Sequence, residues 1–303
     1  LMPSDLALNC RNLCREYYDL MDSRNAYVNK LIDELRMVFP QYLGIFSKVT
    51  IDTSLILLES YTSPSAFINA DKQEIIDLIR STARFGLTYA CNKYNAIIQA
   101  ANDADEFGYI LDSNIKRIRL YIGFIRKYDE EINSILESMH ELAAANEDTD
   151  FVKQIRLIET FKGAGFLSAM SLMGEIGDFS AFSKPKQLFA YFGLDPAVKQ
   201  SGKFEGTKIQ MSKRGSAIAR RVIHTLTLQS ISASRTGESK NPVLLDYYLK
   251  KCESKPKLVA MGAVSHKVCN MIFAILRDSK PFEIITPQEH IKKYNAAKCD
   301  VAA

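Results

Sequence analysis

The segment KQSGKFEGTKIQMSKRGSAIARR, residues 199–221, concentrates the side chains with the clearest chemical potential in the chain. It holds seven basic residues against one acidic residue, a local charge of +6, whereas the whole chain carries only +4. Because solvated surfaces usually mix charges of both signs, a glycine-containing loop of one sign favours contact with a polyphosphate backbone. The alternative is a solvated basic loop. The predicted binding cations are Lys199, Lys203, Lys208, Lys213, Arg214, Arg220 and Arg221.

Ser201 and Gly202 lie near the start of this segment. A serine hydroxyl can attack a phosphodiester when nearby cations hold the phosphate and neutralise the charge that develops on its oxygens. Gly202 would allow the backbone to approach the phosphate closely, and Gly215 follows Lys213 and Arg214 just before a predicted helix. Spacing alone does not distinguish Ser201 from an ordinary loop serine, so both interpretations stay open at this point.

A second candidate for phosphate contact is IETFKGAGFLSAMSLMGEIG, residues 158–177. The pattern predicts a helix, a tight turn at Gly163 and Gly165, and a second helix whose first N–H groups face outward. Helix N-termini attract anions, so this helix-hairpin-helix would contact the DNA backbone without reading bases, with Lys162 adding charge. The alternative is a plain helical hairpin that needs two glycines.

The elements around these motifs read as helices. Residues 5–38 carry a heptad seam in which Arg24 is out of pattern, and residues 115–139 carry a second seam interrupted only by Asp129. Two such seams predict an antiparallel coiled-coil hairpin that mediates self-association. The predicted seam positions of the second helix are Ile115, Ile118, Ile122, Ile125, Ile132, Leu136 and Met139.

The expected fold class is therefore mainly α: a long antiparallel coiled-coil hairpin with a helical insert at about 45–108, followed by a compact helical domain containing the helix-hairpin-helix. The alternative for the first part is ordinary helices packed on a common core. We place the first region at 1–148, the second domain at 149–290 and a tail at 291–303. The one β feature expected is a short hairpin around 203–210.

Cysteine usage and hydropathy indicate the cellular compartment in which the protein works. The six cysteines form no CxxC pair and no zinc set, so we expect reduced thiols and no metal site in this chain. Residues 1–30 carry charges throughout, which predicts no signal peptide, and no apolar run was found to approach membrane-spanning length. These features predict a cytoplasmic protein with no membrane contact.

Five separated features, in this order, carry a family resemblance: the Gly-x-Gly hairpin, GEIGDFSAF, YFGLDP, SG, and SKRG before an Ala/Arg-rich helix. In these features residues 151–285 resemble the C-terminal domain of bacterial insertion-sequence 110 family transposases, the 116/110/902 group with related site-specific DNA invertases. The sequence departs slightly at the hairpin, where Lys162-Gly163-Ala164 stands in place of the more common Pro-Gly-Ile.

The resemblance implies a DNA recombinase with two halves. One half is an RNase-H-like domain whose four acidic residues bind a divalent metal such as Mg²⁺, and the other carries a serine nucleophile in the SG motif, which maps to Ser201. Gly202, Lys213, Arg214 and Gly215 map to the flanking motif. The resemblance also implies a noncoding guide RNA as a partner, while the heptad seams predict a homo-oligomer.

No Asp-x-x-Asp-Ala motif precedes LMPSDLAL, so we expect the acidic half upstream of residue 1 and interpret the chain as the downstream part of a transposase. The leading function is DNA strand cleavage and rejoining through Ser201, with this chain alone inactive. One alternative is an inactive DNA- or RNA-binding and assembly module. Another is a helical scaffold whose basic loop binds an acidic protein, which salt dependence would separate from the other two.

Overall fold

The computed structural model of the protein describes residues 4–82, 86–107, 110–197, 200–201, 204–205, 211–234 and 237–292, with the backbone alone at 105–107, 200–201 and 204–205. The chain is mainly helical, as predicted. The first helices are α1 (Asp5–Val38), α2 (Asp52–Ser60), α3 (Pro64–Ile68), α4 (Lys72–Thr82), α5 (Leu87–Phe107) and α6 (Asp112–Ala144). The later ones are α7 (Asp150–Glu159), α8 (Phe166–Ile176), α9 (Pro185–Tyr191), α10 (Ala217–Ile231), α11 (Pro242–Cys252) and α12 (Lys257–Asp278).

Two short 3₁₀ helices complete the helical part, at Pro40–Gly44 and Phe179–Ala181. Two strands of two residues each, β1 (Gln200–Ser201) and β2 (Phe204–Glu205), pair antiparallel. The pairing therefore lies slightly before the range of the expected hairpin, residues 203–210, because Ser201 itself belongs to the first strand.

The chain divides into two compact units that differ from the predicted boundary at 148–149. The helical unit is Tyr17–Leu136, and the motif unit joins Leu1–Glu16 to Glu137–Ala303. Both divisions fall inside long helices, α1 and α6. The start of α1 belongs with the motif unit because two of its arginines bond to the end of α8, as described below.

The helical unit contains the second half of α1, helices α2 to α5 and most of α6. Its core is a single apolar cluster that includes the buried rings of Phe39, Tyr42 and Phe67. The sequence predicts a helix that starts at Asp71, because Glu74 stands three residues later and an apolar run follows. This start is confirmed, since Asp71 Oδ1 accepts hydrogen bonds from the backbone N–H groups of Gln73 and Glu74 at 2.8 and 3.1 Å. The sequence predicts short helices for the insert, but α5 runs for 21 residues.

Contacts between α1 and α6 inside the helical unit run in opposite chain order. The Tyr27 ring lies 4.6 Å from Phe124, centroid to centroid, and the later residue Glu34 pairs with the earlier residue Arg117 at 3.0 Å. The two helices are therefore antiparallel here. Five of the seven predicted seam residues of α6 are buried, and Ile115 and Leu136 are half-buried. Regular coiled-coil packing remains a prediction.

The two residues that interrupt the heptad seams pair with each other. Arg24 Nε and Nη2 donate to the two carboxylate oxygens of Asp129 at 2.5 and 3.0 Å. Arg24 is 17% exposed, so this bidentate ion pair is partly removed from solvent. Each of the two charges is neutralised by the other, which explains why both apolar seams can contain a charged residue.

In the motif unit, α12 is the central helix and packs against α7, α9, α10 and α11, while α8 packs against α7 and α10. This helix corrects one expectation, because within the described residues it is the one helix long and apolar enough to cross a membrane by length and composition. Its inward side is buried by the helices around it, from Ala260 to Leu276. We therefore interpret α12 as the core helix of this unit.

The five cysteines among the described residues carry free thiols. Burial raises the pKa of Cys10 and Cys269 to about 12 and that of Cys14 to about 11, so these thiols stay protonated at neutral pH. A protonated, buried thiol is a poor nucleophile and a poor metal ligand, which assigns these cysteines to packing.

Candidate nucleic-acid interface

Ser201 lies near the tip of a hairpin that is fastened at its base. Ser201 pairs with Phe204 and Gln200 with Glu205, so the register leaves residues 202 and 203 between the strands. At the base, Pro196 and Met211 form an antiparallel bridge.

The base continues toward the helices on either side. The backbone N–H of Ser212 donates to Asp195 O at 2.8 Å, and that of Lys213 donates to Gly193 O at 3.0 Å. The YFGLDP and SKRG motifs are therefore the two sides of one hairpin base.

Two glycines make this base possible. A Cβ added to Gly215 would lie 1.9 Å from Tyr191 O and 2.5 Å from Phe192 C. A Cβ added to Gly193, whose φ is +67°, would lie 2.5 Å from Gly215 N. The two backbones touch without room for any side chain, so both glycines are required for packing. The sequence analysis assigned Gly215 to the phosphate-binding motif and missed this structural requirement.

Arg220 supports the same contact from the first turn of α10. Its Nη1 donates to Phe192 O at 3.0 Å and to Gly215 O at 2.6 Å, one carbonyl on each side of the hairpin base. The side chain is half-buried and its hydrogen bonds point into the protein. Arg220 therefore stabilises the hairpin base from its inner side. Its predicted contact with nucleic acid remains untested by this geometry.

Lys213 and Arg214 are the exposed cations of the base. Lys213 has φ +55°, a left-handed conformation that costs a non-glycine residue about 1 kcal/mol and is held here by its bond to Gly193 O. Both residues precede α10, whose first turn is capped by Ser216 Oγ accepting from Ala219 N at 3.0 Å. Exposed cations therefore lie beside a helix N-terminus, as the sequence predicts, an arrangement that suits a phosphate.

The other serines of the segment are already engaged. Ser212 Oγ donates to Asp195 Oδ1 at 2.6 Å, a short bond that fastens the hairpin base a second time. Ser216 is the N-cap of α10. These bonds give both hydroxyls a structural role.

The predicted Gly-x-Gly turn joins α7 to α8, which pack against each other. Gly163 has φ +103°, and a Cβ there would lie 3.1 Å from Gln229 Oε1 of α10. Gly165 is the N-cap residue of α8 and is exposed, with nothing within 4 Å of its Cβ position. Lys162 is also exposed, so the turn offers an open backbone and one cation. That it binds DNA remains a prediction.

Sequence reasoning missed one buried anchor, Glu175 near the end of α8. Arg15 Nε and Nη2 donate to its carboxylate oxygens at 2.8 and 3.0 Å, and its side chain is 4% exposed. Arg11 Nε donates to Gly174 O at 2.8 Å, and Tyr191 Oη donates to Glu175 O at 3.1 Å. The signal was present, because Glu175 is the one carboxylate in an otherwise apolar helix, and such residues are rarely buried unpaired.

Lys199, Gly202, Lys203 and Lys208, also predicted to form the site, lie outside the described residues. Arg221 is exposed on α10. In the described part of the chain no three His, Cys, Asp or Glu residues lie together in a way that could hold a metal ion. The residues described here therefore provide no ligand set for the divalent metal that the resemblance implies.

Comparison with known proteins supports the resemblance independently. Residues 155–248 match the family described as Transposase IS116/IS110/IS902. The chain is 33% identical over 115 residues to the transposase for insertion sequence element IS1111A of Coxiella burnetii, which covers 37% of this chain and 29% of that protein.

A longer match links it to the insertion element IS110 uncharacterized 43.6 kDa protein of Streptomyces coelicolor, with 23% identity over 239 residues, or 76% of this chain and 53% of that protein. The chain thus spans about half or less of the length of these curated relatives. The family match spans α7 to α11 and includes the hairpin base, Ser201 and the Gly-x-Gly turn. Residues 155–248 therefore carry the match to the IS116/IS110/IS902 transposase family, and the chain is similar over part of its length to proteins of insertion elements.

Proposed function

We propose that this chain is the nucleophile-bearing part of a DNA recombinase, which cleaves and rejoins DNA strands through Ser201. The observation that carries the proposal is the hairpin: its base is fixed by Gly193, Gly215 and Arg220, and its tip carries Ser201. A nucleophile must be held in a defined position relative to the cations that bind its substrate. Lys213 and Arg214 belong to the fixed base, which supports their role as the cations that would hold the phosphate for Ser201.

The proposed step is a phosphoryl transfer. Ser201 Oγ forms a bond to phosphorus while the bond from phosphorus to one deoxyribose oxygen breaks, and the serine proton passes to the departing oxygen. Lys213 and Arg214 hold the non-bridging oxygens and neutralise their charge. Attack by the hydroxyl of a second strand on the phosphoserine reverses the chemistry and rejoins DNA, so no energy source is needed.

Activation of the serine and stabilisation of the leaving oxygen need groups that the described residues do not supply. Glu205 is the one acidic residue of the segment, and Asp195 is engaged with Ser212. We therefore expect this chain by itself to form little covalent DNA adduct. Adduct formation should return when an acidic, metal-binding domain is supplied upstream in the same chain or by a partner subunit.

The test is denaturing electrophoresis of the protein with labelled duplex DNA in the presence of that domain. Ser201→Ala should abolish the shifted band and leave DNA binding nearly unchanged. Ser212→Ala and Ser216→Ala are the matched controls, because they remove hydroxyls from the same segment and should retain the adduct. An adduct that persists in Ser201→Ala would remove Ser201 from the mechanism.

DNA binding without chemistry is the second candidate, favoured by the exposed cations Lys213 and Arg214 and the open turn at Gly165. A Lys213→Ala/Arg214→Ala variant should flatten the slope of log affinity against log salt by about two, near one per lost phosphate contact. An unchanged slope would remove these cations from the interface. If this variant loses binding while no condition yields an adduct, the chain is an assembly module, with a guide RNA and further copies of itself as its proposed partners.

A further inference from the structure

Away from the Ser201 hairpin, the motif unit has a second basic surface formed by α9, α11 and α12. On α11, the Tyr247 ring has two ammonium groups over it: Lys251 Nζ at 5.3 Å and Lys267 Nζ, from α12, at 5.6 Å from the ring centroid. One aromatic ring thus holds two cations from two helices.

A third cation joins this surface from α9. The Phe189 ring meets the ring of His266 edge to face at 4.5 Å, and His266 is the neighbour of Lys267. Lys186 lies one turn before Phe189 on the same face of α9. The pKa of His266 is lowered by its burial and, further, by Lys267 and Lys186, so both lysines act on this imidazole.

The three lysines lack acidic partners. No ion pair joins Lys186, Lys251 or Lys267 to a carboxylate in the part of the chain that the structure describes, whereas their neighbour Lys250 is paired with Asp246 at 2.8 Å. Lys186 and Lys267 are exposed and Lys251 is half-buried. Cations held together without counter-charges repel each other, and an anion placed between them removes that repulsion.

We propose that Lys186, Lys251 and Lys267 form a second contact surface for the phosphate backbone of duplex DNA. The charge is fixed on three packed helices, and the half-buried Tyr247 ring gives two of the lysines a common platform. This inference rests on the proposed function, since it adds a second contact to the same DNA-binding unit.

The short helix α9 links this surface to the Ser201 hairpin. Lys186 lies in its first turn, and its last residue, Tyr191, contacts Gly215 at the hairpin base. Seven helical residues span about 10 Å, so the two surfaces lie close enough for one duplex to meet both. DNA held on the lysine surface would therefore be presented to the loop that carries the nucleophile.

The experiment measures the salt dependence of binding to a mixed-sequence duplex for the whole chain and three variants. The first replaces Lys186, Lys251 and Lys267 by Gln. The matched control replaces Lys153, Lys280 and Lys292, exposed lysines of the same unit, by Gln and removes the same charge. The third is the Lys213→Ala/Arg214→Ala variant.

The surface variant should flatten the salt slope by up to about three and the control by less than one. A slope equal to that of the control, with the Lys213/Arg214 variant still impaired, would overturn this inference and leave the proposed function intact. Absence of binding by the parent chain would overturn both. Unchanged DNA binding together with lost binding to polyglutamate or to phosphatidylserine vesicles would assign the surface to an acidic protein or a membrane and also overturn it.

Because Lys186 and Lys267 are exposed and Lys251 is half-buried, the variants should fold, and circular dichroism checks this. Lys251→Gln and Lys267→Gln are also measured singly. If only the triple variant misfolds, a single-variant slope change of about one still supports the surface, and none in either contradicts it.

Discussion

Gly215 is the residue on which the candidate site is most dependent. Replacing it by Ala would place a methyl carbon 1.9 Å from Tyr191 O, and the atoms it meets are backbone, which cannot rotate away. We expect Gly215→Ala to lower the free energy of unfolding of the motif unit by about 3 kcal/mol or more. Chemical denaturation followed by circular dichroism measures this.

Gly165→Ala is the control, since the same methyl group would meet nothing within 4 Å and φ is −102°. The cost there should be below about 1 kcal/mol, because alanine is a weaker N-cap than glycine. Equal destabilisation by the two substitutions would contradict the close backbone contact between Gly193 and Gly215.

At the residue scale, the sequence predicts local features well. The cap at Asp71 and the turn at Gly163 follow from spacing of a few residues, and both are found. The ion pair between Arg15 and Glu175 could not be predicted, because 160 positions separate its members and no local pattern relates them. The packing role of Gly215 could not be predicted for the same reason, because the residues that it contacts, Tyr191 to Gly193, lie more than twenty positions earlier in the chain.

Among the elements, α6 offers the sharpest test of the predicted seam. Ile122 is fully buried in the helical unit, and Leu120, two residues earlier, is 53% exposed. Ile122→Asp should lower the free energy of unfolding by about 3 to 5 kcal/mol, since the carboxylate would be buried without a partner. Thermal melting and light scattering would report stability and oligomer size together.

Leu120→Asp adds the same charge on the exposed side of α6 and should change stability by less than about 0.5 kcal/mol. Retention of the parent melting temperature by Ile122→Asp would mean that the seam is not packed. A change in oligomer size for Leu120→Asp alone would instead place self-association on the outer face of α6.

Helix positions in this chain were predictable because apolar periodicity and capping residues act within one or two turns. The first seam predicted α1 with its observed bounds, and the second seam, residues 115–139, lies inside α6, which begins three residues earlier and ends five residues later. They also marked Arg24 and Asp129 as exceptions but did not show that these two residues pair. The heptad pattern of one helix contains no information about the other helix, so it cannot predict that Arg24 pairs with Asp129.

On the scale of the whole molecule, the start of α1 belongs to the motif unit, and Arg15 tests this assignment. Arg15→Ala would leave the Glu175 carboxylate, 4% exposed, without its bidentate donor. We expect a loss of about 2 kcal/mol in the unfolding free energy of the motif unit. Denaturant titration of the whole chain provides the measurement.

Glu175→Gln is the companion variant. It leaves a neutral amide in the buried position, while Arg15, 52% exposed, can return to water. Its cost should be smaller, about 1 kcal/mol, and the double variant should cost less than the sum of the two singles. Strict additivity would show that the pair does not act as a unit, and the boundary near residue 148 would then regain support.

The fixed base of the Ser201 hairpin limits where insertions and deletions can occur in chains of this kind. Residues 193–196 and 211–215 are matched to each other atom by atom, so an insertion on one side alone would break the Gly193–Gly215 contact. We therefore expect related chains to accept changes of length between Pro196 and Met211 and to conserve the length of the two paired segments that flank these positions.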